Sequence, residues 1–441
     1  MPSADPSPHL LPDGSWAAPT ATGPIQAVLT LPGSKSLTNR YLILAALAQD
    51  PSRLRAPLRS RDTLLMAAAL RVLGCEIVEA PDDPRDWLLT PGALRGGGTI
   101  DVGLAGNVMR FVPPVAALAD GPVAFTGDEH AAQRPMAPVL GALRALGVDV
   151  EDQGRGGLPF TVVGRGSVRG GEVTLDASAS SQFVSGLLLS APRFEAGLTI
   201  RHEGAALPSL PHIEMTVETL RDAGALVDDS AAHVWRVEPS EINALDVAVE
   251  PDLSNAAQFL AAALVTGGRV RITGWPQFTT QGGDALRDIL DQMGADIHLD
   301  RDGLTASGTG AIHGIDLDLH DSSELTPVVA ALCTLADGPS IIRGVAHIRG
   351  HETDRLAALA RELGRVGADV EETADGLRIR PRPLHGARFH TYADHRMVMA
   401  GALLALKVRG IEVENVATVA KTLPTFVALW DDMLGQSGQR R

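Results

Sequence analysis

The strongest constraint on this chain is a repeat. Six segments, 36–48, 106–119, 180–189, 254–265, 324–336 and 395–408, begin with polar residues and continue as Ala- and Leu-rich faces. Their starts are 70, 74, 74, 70 and 71 residues apart. A second helical pattern follows each. Five of these end alike, in LRVLG, LRALG, LRDAG, LDQMG and LGRVG, at Gly74, Gly147, Gly224, Gly294 and Gly367. A glycine just past the last turn is a C-cap, where a left-handed backbone costs least. A sixth, LWDDMLG, is expected to end at Gly435. Short apolar alternations after the first five read as strands. Two helices and several strands per repeat exclude a propeller or a solenoid. LILAALA, FLAAALV and VVAALCTLA are apolar on more than one face, so these helices should be buried beneath the strands. The expectation is an α/β fold of six units, helices inside and sheets outside, three units per domain. The domains are expected at 34–251 and at 24–33 with 252–441. Residues 1–23, rich in Pro, Ser and Ala, read as a flexible N-terminal extension.

The charge balance narrows the function. Asp and Glu number 53 against 38 Lys and Arg, a formal charge of -15, the reverse of a nucleic-acid binder. An anionic ligand would therefore need locally concentrated cations. Cys75 and Cys333 are the only cysteines, which excludes a disulfide framework or a zinc cysteine cluster and points to a reducing, cytoplasmic setting. No n-region followed by an apolar h-region opens the chain, and no apolar run reads as a membrane span.

Polar residues gather where the helices begin. LPGSKSLTNR at 31–40 offers Lys35, Ser36 and Arg40. The second unit offers Gly106, Asn107 and Arg110, then Arg134; the third Ser180, Ser181 and Gln182, then Ser209 and His212. The fourth offers Asp252, Ser254 and Asn255. The fifth offers Glu324, then His347, His351, Glu352 and Arg355, and the sixth Asp394, His395, Arg396 and Lys421. Helix N-termini and seven cations (Lys35, Arg40, Arg110, Arg134, Arg355, Arg396, Lys421) suit small molecules bearing phosphate and carboxylate. Ser36, Ser180 and Ser254 could serve only as N-caps. The HxxxH at 347–351 lacks a third ligand, and no HExxH or GxSxG motif occurs, so no metal or cofactor is expected. RGGG at 95–98 and GRGG at 154–157 read as hairpin turns.

Together, LPGSKSLTNR, GLAGNVMR at 103–110, QRPM at 133–136, SSQF at 180–183, HIRGHETDRL at 347–356, YADHRM at 392–397 and AKTLP at 420–424 give the resemblance. The chain resembles the 5-enolpyruvylshikimate-3-phosphate synthases, in an actinobacterial-like variant, from about residue 31 to 434. The resemblance implies a two-domain inverted α/β barrel. It implies enolpyruvyl transfer from phosphoenolpyruvate to the 5-hydroxyl of shikimate 3-phosphate through a tetrahedral intermediate, with no nucleic-acid or membrane partner and a monomer sufficing. It assigns Lys35, Ser36, Arg40, Ser180, Ser181, Gln182, Ser209, Glu324, His347 and His351 to shikimate 3-phosphate. It assigns Lys35, Gly106, Arg134, Gln182, Arg355, Arg396 and Lys421 to phosphoenolpyruvate. Asn107, Arg110, His212, Asp394 and His395 support these, and Glu324, Glu352 and Lys35 carry proton transfers.

The chain departs from the usual family pattern at Leu104 and Asn107 (Asn and Thr of NAGTAMR), His212 (Tyr), Glu324 (Asp), His347 (Asn) and His351 (Lys). A related transferase acting on UDP-N-acetylglucosamine would carry a reactive Cys before the position of Arg134. The loop here, TGDEHAAQRP, has none.

Overall fold

The computed structural model describes residues 9–438. The chain divides into two compact units, Gly33–Val249 and a second formed by the segment ending at Pro32 with the chain from Glu250 onward. Each has its own apolar core.

In the Gly33–Val249 unit the helices Lys35–Leu47, Gly106–Ala116 and Gln182–Ser190 pack on one another and are buried along almost their whole length. Their apolar residues encircle the helix, so no face is left for solvent. Three four-stranded sheets accompany them, each with one parallel pair and then two antiparallel pairs. One runs Asp246–Ala248, Ser52–Arg55, Trp87–Thr90, Glu76–Glu79. The others run Thr99–Asp101, Asp120–Thr126, Phe160–Arg165, Asp149–Glu151, and Gly171–Leu175, Leu198–His202, Val234–Val237, Val227–Asp228.

The second unit repeats the plan around Leu253–Thr266, Thr326–Thr334 and His395–Ala405. Two of its sheets have the same four-strand order, one of them completed by the early strand Gln26–Leu29 beside Arg269–Thr273. The six-unit α/β reading therefore holds.

The repeated helix ends have a shared mechanism. Gly74, Gly147, Gly224, Gly294 and Gly367 all have positive φ, between 85° and 106°. In the first three repeats the Arg of the LR pair, Arg71, Arg144 and Arg221, donates to the carbonyl six residues on, at Ile77, Val150 and Val227. The side chain thus ties the helix end to the strand that follows.

Three expectations are corrected. From His9 onward the N-terminal segment is packed, not loose. Trp16–Ala17 pairs antiparallel with Glu412–Val413 and completes the sixth sheet, a three-stranded one, and Trp16 is fully buried edge-on to Phe426. The short strand 412–413 would otherwise leave an open edge. Residues 1–8 lie outside the described residues. The last helix, Phe426–Gly438, passes through Gly435 instead of capping there. Its Gln436 side chain accepts from the Val28 amide and donates to the Val28 carbonyl, so the extra turn covers the edge strand Gln26–Leu29. RGGG at 95–98 leads into a parallel strand, with Arg95 bridged to Asp120, while GRGG at 154–157 does lie between paired antiparallel strands. Among the described residues no helix is long and apolar enough to cross a membrane.

Candidate active site

Each unit holds one cluster of the motif residues. In Gly33–Val249 the first helix is capped by Ser34, whose hydroxyl accepts from the Leu37 amide, which leaves Ser36 in the first turn rather than at the cap. One turn on, the Arg40 guanidinium lies 1% exposed. It donates to Thr216 Oγ1 at 2.8 Å, Ser36 O at 2.9 Å, His212 O at 2.6 Å and Ser185 Oγ at 3.5 Å. All four are neutral oxygens, and burial pushes its pKa down to about 9. It stays ionised at neutral pH, held by these oxygens and by the Phe111 ring, whose centre lies 5.4 Å away. Ser209, at φ 54°, lies two residues before the helix whose first turn supplies the His212 carbonyl. Lys35 Nζ is 3.8 Å from Asp62, a buried carboxylate in the first turn of the next helix.

The second focus of this unit is Gly106. A Cβ there would lie 2.8 Å from Arg110 Nη1, 3.1 Å from Arg134 Nη2 and 3.1 Å from Gln182 Oε1. Two cations and an amide thus converge on a backbone with no side chain. The helix crossing makes this possible. Pro114 has no N–H for the Arg110 carbonyl, and Gly186 packs against that carbonyl, where a Cβ would come within 2.3 Å. One turn before Gly186 stands Gln182, whose Oε1 accepts from Arg110 at 3.3 Å. Arg110 also donates to the Pro135 carbonyl and Arg134 to the Leu104 carbonyl. Ser180 Oγ accepts from the Gln182 amide, Ser181 is buried beside it, and Asn107 is buried in the turn after Gly106.

In the other unit Arg355 is the hub. It is 1% exposed and begins the helix Arg355–Arg365. Its Nε donates to Asp394 Oδ2 at 2.7 Å, Nη2 to Glu352 Oε2 at 2.9 Å, and Nη1 to Glu324 Oε2 at 3.4 Å and to His351 Nδ1 at 2.9 Å. Burial opposes this charge most, but Asp394, Glu352 and Glu324 together outweigh it and hold the pKa above its ordinary value. Glu352 also bonds Lys421 Nζ. Glu324 is 3.1 Å from Arg396 Nε, and Arg396 donates to the Ser254 carbonyl at 2.9 Å. Ser254 therefore sits inside its helix and contributes a carbonyl; the cap is Asp252, accepting from the Asn255 amide. Asp394 caps the sixth core helix by accepting from the Arg396 amide, and His395 is buried beside it, its pKa driven well down by burial. The rings of His320, His347 and His351 follow one another at 5.7 and 6.0 Å. Burial first, then His320, pushes His347 down to about 4.

Asp62, Thr216, Ser185 and His320 were not anticipated. Asp62 stands in a helix first turn, a detectable signal; Thr216 and Ser185 are mid-helix residues whose use shows only once the helices are packed. Among the described residues no group of three or more His, Cys, Asp and Glu could hold a metal ion.

The family described as EPSP synthase (3-phosphoshikimate 1-carboxyvinyltransferase) matches residues 19–430. The chain belongs to the EPSP synthase family. The 3-phosphoshikimate 1-carboxyvinyltransferase of Kocuria rhizophila is 55% identical over 435 residues, 97% of this chain and 98% of that protein. Two structures of the Acinetobacter baumannii EPSP synthase share the fold at 23% identity. Their TM-scores are 0.80 and 0.79, covering 95% and 93% of this chain and 97% of each of theirs. At that identity they speak for the family's architecture alone.

Proposed function

We infer that the two clusters divide the work of the family's reaction. The chain is an enzyme that transfers the enolpyruvyl group of phosphoenolpyruvate to the 5-hydroxyl of shikimate 3-phosphate, releasing phosphate. On this reading the half at 34–251 is the shikimate 3-phosphate side, through Ser36, Arg40, Ser180, Ser181, Gln182 and Ser209. The half at 24–33 and 252–441 brings Arg355, Arg396 and Lys421 to phosphoenolpyruvate. Lys35, Gly106, Arg134 and Gln182 of the first half are also assigned to phosphoenolpyruvate, and Glu324, His347 and His351 of the second to shikimate 3-phosphate. The enzyme works as a cytoplasmic monomer.

The chemistry follows from these groups. Protonation of C3 of phosphoenolpyruvate makes C2 cationic, and the 5-oxygen attacks C2 as Glu324 takes its proton. The tetrahedral adduct then loses phosphate from C2 and the added proton from C3, which restores the enol ether. Glu352, bonded to both Lys421 and Arg355, is the acid and base at C3, with Lys35. Arginine and lysine side chains hold the carboxylate and the departing phosphate where charge develops.

One observation supports this reading above the rest: the two guanidinium groups of Arg110 and Arg134 and the Gln182 amide converge on the bare backbone of Gly106, where a side chain would displace them. The test is phosphate release. Phosphoenolpyruvate with shikimate 3-phosphate is expected to release it; release with UDP-N-acetylglucosamine instead would overturn the reading.

A further inference from the structure

Seven residues beyond Arg355, two turns along the same helix face, Glu362 is fully buried. Its carboxylate accepts from Tyr392 Oη at 2.6 Å, from the His390 amide at 3.0 Å and from Arg365 Nε at 2.9 Å. Residues 390 and 392 lead into a strained turn. Tyr392 and Ala393 both have left-handed backbones, φ 53° and 55°, and neither is glycine. Such a pair persists only where its surroundings over-determine it. From the other side Thr418 Oγ1 donates to the Ala393 carbonyl at 2.8 Å. The next residue, Asp394, grips Arg355 and caps the helix carrying Arg396, while Thr418 shares the short helical stretch Val416–Lys421 with Lys421. The turn is thus joined to Arg355 and Arg396 through Asp394 and to Lys421 through Thr418.

We propose that Glu362 is a positioning residue for the transfer reaction: by bracing the Tyr392–Ala393 turn, it holds Arg355, Arg396 and Lys421 in the spacing that receives phosphoenolpyruvate. Burial and the carboxylate acceptor together raise the Tyr392 pKa, which keeps the phenol a donor in this brace. Arg361 adds a weaker contact, its guanidinium 5.9 Å from the Tyr392 ring centre.

This proposal rests on the assignment of these cations to phosphoenolpyruvate, so the test carries a control for that assignment. Steady-state kinetics and shikimate 3-phosphate titration are measured for Glu362→Gln, Tyr392→Phe and Lys421→Met, with thermal melts of each. Gln keeps the shape but removes the charge and one acceptor: with its oxygen on the His390 amide and Arg365, its NH2 meets the Tyr392 hydroxyl, which loses its acceptor. Glu362→Gln should raise the KM for phosphoenolpyruvate about 10–100-fold, since small misplacements of binding groups have effects of this size. Tyr392→Phe, which loses one bond to a charged acceptor, should raise it about tenfold. Affinity for shikimate 3-phosphate should change by less than the phosphoenolpyruvate KM in both, because only Glu324, His347 and His351 of its assigned residues lie in this unit. A merely structural role would lower the melt and the active fraction with both KM values unchanged, and that result overturns the proposal. If Glu362→Gln does not fold, Tyr392→Phe decides alone by the same criterion. An unchanged KM for phosphoenolpyruvate in Lys421→Met would sink the cation assignment itself; a raised KM there with none in the other two would sink only the role of Glu362.

Discussion

The two clusters use the same residue types in opposite electrostatic states. In Gly33–Val249, the named cations Lys35, Arg40, Arg110 and Arg134 face one named carboxylate, Asp62, and Arg40 is buried among neutral oxygens. In the other unit Arg355, Arg396 and Lys421 interlock with Glu324, Glu352 and Asp394, charge for charge. Among these groups of the first cluster, cations outnumber carboxylates four to one. The second is already neutral, so an anion entering it must share cations with carboxylates. Those same carboxylates are then free to move protons. The difference matches a division between gripping a phosphate and carrying out chemistry.

Breaking the hub of the second cluster should have the largest effect. Arg355→Met leaves Asp394, Glu352 and Glu324 without their shared partner. Removing one member of a buried ionic group costs about 3–5 kcal/mol, and turnover should fall below detection. Arg355→Lys should restore little, because one ammonium cannot serve acceptors arrayed around a planar fork. Arg40→Met is the contrast. It removes a buried charge whose oxygen partners Thr216 and Ser185 already bond each other, so stability should change by only about 1–2 kcal/mol. Denaturant melts of the two variants, side by side, test whether the two states differ as described.

Gly106→Ala sharpens the comparison inside the first unit. The new methyl would displace Arg110 and Arg134, which sit 2.8 and 3.1 Å from its position. The KM for phosphoenolpyruvate should rise about 10–100-fold while the melt stays near that of the parent. An unchanged KM would mean that no ligand lies against that backbone.

The last contrast concerns acid. Burial holds His347 at about 4 against an ordinary 6.5. Between those values the unfolded chain binds a proton that the folded chain refuses, so stability falls as pH drops from 6.5 to about 4, by up to about 3 kcal/mol. His347→Asn should flatten that slope. His395, pushed the same way by burial, should leave a remainder. Arg40, the perturbed cation of the first cluster, does not titrate in this range.

What the sequence made legible follows from how local each signal is. Helix ends such as 70–74 and 143–147 carry their cap glycine and tying arginine within a few residues, so the repeat could be read directly. The motif residues stand at helix starts, where side chains and free amides meet by local geometry. The Trp16–Ala17 strand could not be read, because two residues pair with a segment almost 400 positions away. Nor could Thr216 or Ser185, whose bonds arise only when one helix packs on another, or Glu362, whose partners His390 and Tyr392 lie in a turn 28 and 30 residues on. Ser34 and Asp252, rather than Ser36 and Ser254, proved to be the caps because the helices begin one or two residues earlier than their apolar faces suggest.

Equilibrium titration with shikimate 3-phosphate alone, for the parent, Arg40→Met and Lys421→Met, asks most directly whether the first cluster grips the phosphate. The account predicts that Arg40→Met weakens binding about 100-fold or more, the loss expected when a desolvated charge contact is cut, while Lys421→Met stays within about threefold. Full affinity in Arg40→Met, or an equal loss in both variants, would contradict it.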